Sequence, residues 1–195
     1  VAVLVFNSRE AVWVAYAIVA LSLVVEAGTG SRAGATDRVQ DRGTKYVLVL
    51  VMFAAIAASI AVAHLVPQAQ IDGDQWPLFG FGCAVAIGGI VLRRWSIFVL
   101  GRFFTREVMV REDHKVVTAG PYRVLRHPVY SGTLLMMLGY GIMLGNWLSL
   151  VVITGGVFLA HVPRVLHEER VLERDLGYSY RAFEYRRKRL IPFLW

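Results

Sequence analysis

Two short stretches hold most of the polar side chains that could do chemistry. In "GPYRVLRHPVYSG", residues 120–132, Tyr122, Arg126, His127 and Tyr130 stand directly before a long apolar run. Gly120-Pro121 punctuates a turn. Pro128 suits the first turn of a helix, where its missing N–H costs nothing. Arg126 and His127 would then lie beside the unpaired N–H groups and the positive dipole end of that helix, a place that attracts a carboxylate or phosphate. The competing reading is a basic collar touching lipid head groups, with the tyrosines in an interfacial belt.

The second stretch is "HEERVLERDLGYSYRAFEYRRKR", residues 167–189. A helix is expected from about Pro163 to Leu176, stopped at Gly177. Glu168 and Glu169 sit on it near a membrane exit, with one expected to face the protein. They could oppose a cationic ligand group, or be surface carboxylates paired with Arg164 or Arg170, each pair worth little. The run Arg186-Arg187-Lys188-Arg189 reads as an anionic-lipid contact.

Other candidate sites lack their context. "GTGSRA", residues 28–33, fits G-x-G-x-x-A but follows an apolar span instead of a strand, so it reads as a loop. His161 and His167 fall on largely opposite helix faces, and no metal-ligand spacing accompanies them or His64, so no metal is expected. His64 and His161 read as helix-end or packing residues. Cys83 is the single cysteine, which excludes an internal disulfide.

These stretches need elements to position them, and composition says which. Hydrophobic residues make up 56% of the 195 and charged residues 18%, with the apolar residues in long unbroken runs. The expected class is an all-α integral membrane protein with about five transmembrane helices. The first spans Ala11 to Ala27, the second Tyr46 to Val66, and the third Trp76 to Leu92, ending at Arg93-Arg94. Residues 133–162 contain no Lys, Arg, Asp or Glu. The break "GNW" at residues 145–147 divides that run into a helical hairpin of two arms. No cleaved signal peptide is read in the sequence.

The net charge of +7 suggests nucleic acid at first sight, but the basic residues alternate with apolar spans, so no nucleic-acid partner is expected. Of 21 Lys and Arg, four lie in 28–45 and sixteen in 93–130 plus 163–195. That bias places the N-terminus outside and the C-terminus in the cytoplasm, in the plasma membrane if the chain is prokaryotic. Residues 93–130 and the tail flank the hairpin on one side and can meet there.

Together the two stretches resemble the isoprenylcysteine carboxyl methyltransferase family and its phospholipid N-methyltransferase relatives. The likeness rests on "GPYR..RHP.Y.G", the apolar hairpin, "EE", "G..Y" and the closing "RLIP", and covers roughly residues 93–195. It divides the chain into N-terminal spans, residues 1–92, and a catalytic region, residues 93–195. The resemblance implies S-adenosylmethionine bound in a cytosol-facing pocket made by the segments flanking the hairpin. Carried over by position, His114, Val117, Gly120, Tyr122, His127, Pro128 and Glu168 or Glu169 are cofactor-pocket residues. Arg126, Arg164, Glu168 and Glu169 are candidates for catalysis, and Tyr130, Tyr180 and Arg181 for pocket support. The acceptor implied is a lipophilic carboxylate, a small molecule or a lipidated one, met in the bilayer. Alternatives are an amine or phospholipid N-methyltransferase, an NADPH-dependent reductase of the sterol-reductase type, and a non-enzymatic lipid-binding protein. The sequence leaves the oligomeric state open.

Overall fold

A computed structural model describes residues 8–27, 38–39, 44–105, 109–110 and 115–191. Six helices are found there: α1 (Arg9–Ala27), α2 (Thr44–Leu65), α3 (Gln75–Leu100), α4 (Pro128–Met143), α5 (Trp147–Leu176) and α6 (Tyr178–Glu184). Two-residue strands β1 (Arg38–Val39) and β2 (Met109–Val110) pair antiparallel, a small addition to the all-helical expectation. The "GTGSRA" loop lies outside the described residues.

Local signals set the helix ends. Asp74 caps α3 by accepting the Trp76 N–H at 3.0 Å, and Asn146 caps α5 by accepting that of Ser149 at 3.0 Å. Gly177, at φ +55°, ends α5 in a backbone conformation that side chains with a Cβ resist. Pro128 opens α4 as expected.

Two expected boundaries move. The third helix does not stop at Arg93-Arg94 but continues to Leu100, because Arg93 reaches back onto α4. Its guanidinium donates to the Val129 carbonyl at 3.3 Å and to Thr133 Oγ1 at 3.0 Å, which gives the charge partners on a packed face. Positions 92 and 93 are therefore interior to α3. Nor is there a separate helix from Pro163: α5 runs unbroken through that proline for 30 residues.

Among the described residues, three helices are long and apolar enough to cross a membrane, covering Tyr46–Leu65, Gln75–Phe103 and Trp147–Leu176. Helix α4 has only 16 residues. It packs against both α3 and α5, while α2 lies on α5 and α1 on α3. The α3–α4 contact is closed by small residues. Gly82, Ala86 and Gly89 of α3 meet Gly132, Met136, Gly139 and Met143 of α4. A Cβ on Gly132 would stand 2.7 Å from the Arg93 backbone nitrogen, so the two backbones touch with no room for a methyl group. At the far end of α4, Asn146 donates to the Val66 carbonyl at 2.9 Å and Ser149 to the Ser59 carbonyl at 2.7 Å. These bonds tie the α4–α5 turn to α2 and fix how far along α5 the start of α4 comes to rest.

Candidate functional site

The start of α4 faces the last third of α5 directly, with the tail after α6 paired alongside. The turn Gly120–Arg123 buries Pro121 and Tyr122, and Gly120 takes φ +54°. After it the backbone pairs with the tail in parallel, Leu125 opposite Lys188. Arg126 N–H donates to the Lys188 carbonyl at 2.8 Å and His127 N–H to that of Arg189 at 3.0 Å. The Ser131 hydroxyl donates to the Leu190 carbonyl at 2.6 Å. The two polar stretches thus meet, as their placement around the apolar run implies.

Arg186 and Lys188 are exposed, while Arg187 and Arg189 are half-buried and bond inward. Arg187 Nε donates to the Tyr122 carbonyl at 2.8 Å, with its guanidinium 4.5 Å from the centre of the Phe183 ring. Arg189 Nε donates to Glu169 Oε2 at 2.8 Å. The basic run is therefore half internal, which corrects its reading as a lipid contact along its whole length.

Glu168 and Glu169 have different surroundings, because neighbours on a helix point about 100° apart. The Glu169 side chain is 4% exposed and takes three partners: Arg189, Arg126 NH1 at 3.1 Å and His127 Nε2 at 3.3 Å. A carboxylate can only accept, so His127 carries its proton on Nε2 in this contact. Arg126 has an internal partner on each of its three nitrogens. Nε donates to the Arg187 carbonyl at 2.8 Å, and NH2 to the Glu184 carbonyl at 2.8 Å. Burying Glu169 costs little only because those donors surround it.

Glu168 is 29% exposed and accepts the Tyr130 hydroxyl at 2.8 Å on Oε2. Tyr130 in turn accepts Arg164 Nε at 2.9 Å. Its ring stacks on His127, centroids 5.7 Å apart, and meets His161 edge-on at 5.1 Å. His161 is buried with Nδ1 2.7 Å from the Val157 carbonyl, a packing residue as expected.

Tyr180, on the inner face of α6, packs with Tyr122, Val129, Ile97 and Phe183. Its hydroxyl is buried and has no hydrogen-bond partner among the described residues. Burial, reinforced by the charges of Glu169 and Glu168, pushes this phenol well above the ordinary tyrosine range, so it stays neutral.

Of the residues expected from sequence, Tyr122, Arg126, His127, Pro128, Tyr130, Arg164, Glu168, Glu169 and Tyr180 come together here. Val117 is partly buried against the Tyr122–Tyr180 cluster, and Gly120 packs beside Val99 and Trp95. Arg181 does not join them: it is exposed on α6 and takes no part in these hydrogen bonds. The α6 segment turns Tyr180 and Phe183 inward, which leaves Arg181 outside. His114 lies outside the described residues. Sequence reasoning missed Arg187, Arg189 and Arg93. The first two were legible only as alternation within a charge run.

The sequence pattern of the phospholipid methyltransferase family matches residues 78–179, from α3 to the start of α6, a stretch that includes Arg126, His127, Tyr130, Arg164, Glu168 and Glu169. The chain belongs to that family. Among curated relatives, a probable protein-S-isoprenylcysteine O-methyltransferase of Oryza sativa subsp. japonica is 31% identical over 148 residues, 75% of this chain and 76% of the relative. Protein-S-isoprenylcysteine O-methyltransferase B of Arabidopsis thaliana is 35% identical over 123 residues, 62% of each chain. The solved structure of a eukaryotic intramembrane Ras methyltransferase, an isoprenylcysteine carboxyl methyltransferase, superposes with a TM-score of 0.62 at 24% identity. That match covers 89% of this chain and 61% of the other, and shows a shared fold. This family member thus spans about three fifths of the length of the Arabidopsis relative and of the solved chain. The resemblance drawn from the two polar stretches is borne out. Family and apolar helices together make the chain an integral membrane protein.

Proposed function

We propose that this chain is a membrane S-adenosylmethionine-dependent methyltransferase that esterifies the carboxylate of a prenylated cysteine at the end of a protein or peptide. One observation carries the site assignment. Within a cluster where Glu169 is saturated, Glu168 and Tyr180 keep hydrogen-bonding capacity: a part-exposed carboxylate and a buried hydroxyl with no partner among the described residues. The cofactor's amino acid end carries an ammonium and a carboxylate, so this donor set fits it. Glu168 suits the ammonium, and the Tyr180 hydroxyl suits the carboxylate. His114, Val117, Gly120, Tyr122 and Pro128 complete the pocket by family position.

When bound, S-adenosylmethionine supplies an electrophilic methyl group on a sulfonium. What the chain adds is binding and orientation, and a reactant held close and aligned loses several kcal/mol of barrier. A C-terminal carboxylate is ionised at neutral pH, with an ordinary pKa of about 3.5, and needs no general base. Arg126 acts as a latch on Glu169 and the tail, and the buried Arg164 supports the site through Tyr130. The names of the curated relatives, protein-S-isoprenylcysteine O-methyltransferases, support a prenylated protein over a small molecule as acceptor.

The bilayer placement follows from length. Helix α5 extends about 45 Å at 1.5 Å per residue, beyond a hydrocarbon core of about 30 Å, so its last third projects past the membrane with Glu168 and Glu169. We place α1 and α4 with the three long helices as a five-helix bundle, α4 and α5 forming its hairpin. The basic bias puts the site on the cytoplasmic side and the N-terminus outside. Residues 93–195 carry the chemistry and residues 1–92 the supporting spans.

A second reading has its own support: the family pattern is that of phospholipid methyltransferases, and Glu168 could serve as base for an amine acceptor. Incubating proteoliposomes of the chain with methyl-labelled cofactor and either farnesylcysteine peptide or phosphatidylethanolamine separates them. Label on the peptide, released by mild base as an ester is, supports carboxyl methylation. Base-stable label on the phospholipid replaces that reading with N-methylation.

A further inference from the structure

We infer that Tyr130 is a positioning residue for this site, transmitting the buried charge of Arg164 to Glu168 through its hydroxyl. The inference rests on the methyl-donor reading above and adds how the carboxylate is held. An arginine side chain has donors only. In the 2.9 Å contact between Arg164 Nε and the Tyr130 oxygen, the phenol must therefore accept. Its own proton is left for Glu168 Oε2 at 2.8 Å, so the chain Arg164 to Tyr130 to Glu168 has a fixed direction. No other side chain has both a donor and an acceptor at that reach from α4 with a rigid plane behind it. Phenylalanine would keep the plane and lose the relay.

The ring itself is held on both sides. His127 stacks on it and His161 meets it edge-on, so neither the ring nor its hydroxyl can swing away from α5. His161, Arg164 and Glu168 stand at i, i+3 and i+7 on α5, one face of that helix, and all three meet this one tyrosine of α4. Arg164 is buried, so its charge acts on the phenol with little screening by water. Glu168 Oε2 is thereby fixed against α4, which sets the orientation of the whole carboxylate before any ligand arrives.

The test is a double-mutant cycle read by calorimetric affinity of the full chain in detergent for S-adenosylhomocysteine, which keeps the cofactor's amino acid end but cannot react. Tyr130→Phe and Glu168→Ala are each expected to weaken binding roughly tenfold, the ~1.4 kcal/mol of one charge-assisted bond. The double variant is expected to bind within about twofold of Glu168→Ala alone, because the tyrosine acts through the glutamate. Arg164→Met, which removes the source of the relay and keeps the ring, is expected to repeat Tyr130→Phe. A double variant near a hundredfold weaker would mean that Tyr130 contacts the ligand independently, and the relay falls. Tyr130→Phe binding like wild type overturns the relay while the site stands. Glu168→Ala binding like wild type removes the site reading itself, and the relay with it.

Discussion

Arg189 donates Nε to Glu169 Oε2 at 2.8 Å, across 20 residues of sequence. Through that bond the tail is pinned to α5 while its backbone pairs with residues 125–127 at the start of α4. Three elements distant in sequence are therefore closed around one carboxylate, while the neighbouring one, Glu168, stays part-exposed.

Glu169 should behave as a structural residue. Glu169→Gln removes the charge facing Arg126, Arg189 and His127, and leaving such donors unsatisfied costs about 1–3 kcal/mol. A lower melting temperature in detergent is expected, together with faster proteolysis after Glu184. Glu168→Gln should leave both near wild type. Equal destabilisation by the two variants would remove the distinction between them.

The α3–α4 contact gives a paired test. A Cβ at Gly89 would stand 2.7 Å from the Gly132 carbonyl, whereas one at Gly88 meets nothing within 4 Å. Gly89→Ala should cost about 1–3 kcal/mol by forcing the backbones apart. Gly88→Ala, on the same helix, should be neutral or mildly stabilising, by up to about 1 kcal/mol. Melting temperatures of the two proteins decide it.

Alkaline stability should report on the buried phenols outside the spans. Tyr180 is raised by burial and by the Glu169 and Glu168 charges, and Tyr122 by burial and the Glu168 charge. In the unfolded chain a tyrosine ionises near about 10. Above that pH the folded state holds protons that the unfolded state has lost, so stability falls as pH rises further. Below it the contribution is fully present. Tyr180→Phe should flatten this alkaline loss, measured by melting between pH 9 and pH 11 (approximate bounds set by that ordinary value). An unchanged slope would mean that Tyr180 ionises in the folded protein.

Much of this arrangement was legible in the residues. The apolar runs marked the helices, Pro128 marked the start of α4, and "GNW" marked the turn into α5. The two polar stretches had to emerge at the same end of that pair. Less legible were features that depend on tertiary partners. Arg93-Arg94 looks like a stop because two charges end an apolar run, yet α3 continues since Val129 and Thr133 receive Arg93. Pro163 looks like a helix start, and α5 passes through it. In "RRKR" a charge count cannot tell inward from outward. Only pairing with residues 125–127 lays the tail where Arg187 reaches Tyr122 and Arg189 reaches Glu169. "EE" shows two carboxylates but not which one is already neutralised, since that depends on a guanidinium 20 residues away.

The central claim is that this cluster is a methyl-donor site with Glu168 as its ligand carboxylate. Calorimetric titration of the purified chain in detergent with S-adenosylmethionine tests it most directly. Saturable binding is predicted, weakened at least about tenfold by Glu168→Gln, which loses a charge-assisted contact, and by His127→Ala, which removes the ring stacked on Tyr130. Wild-type affinity in both variants, or no binding to the unaltered chain, would contradict it.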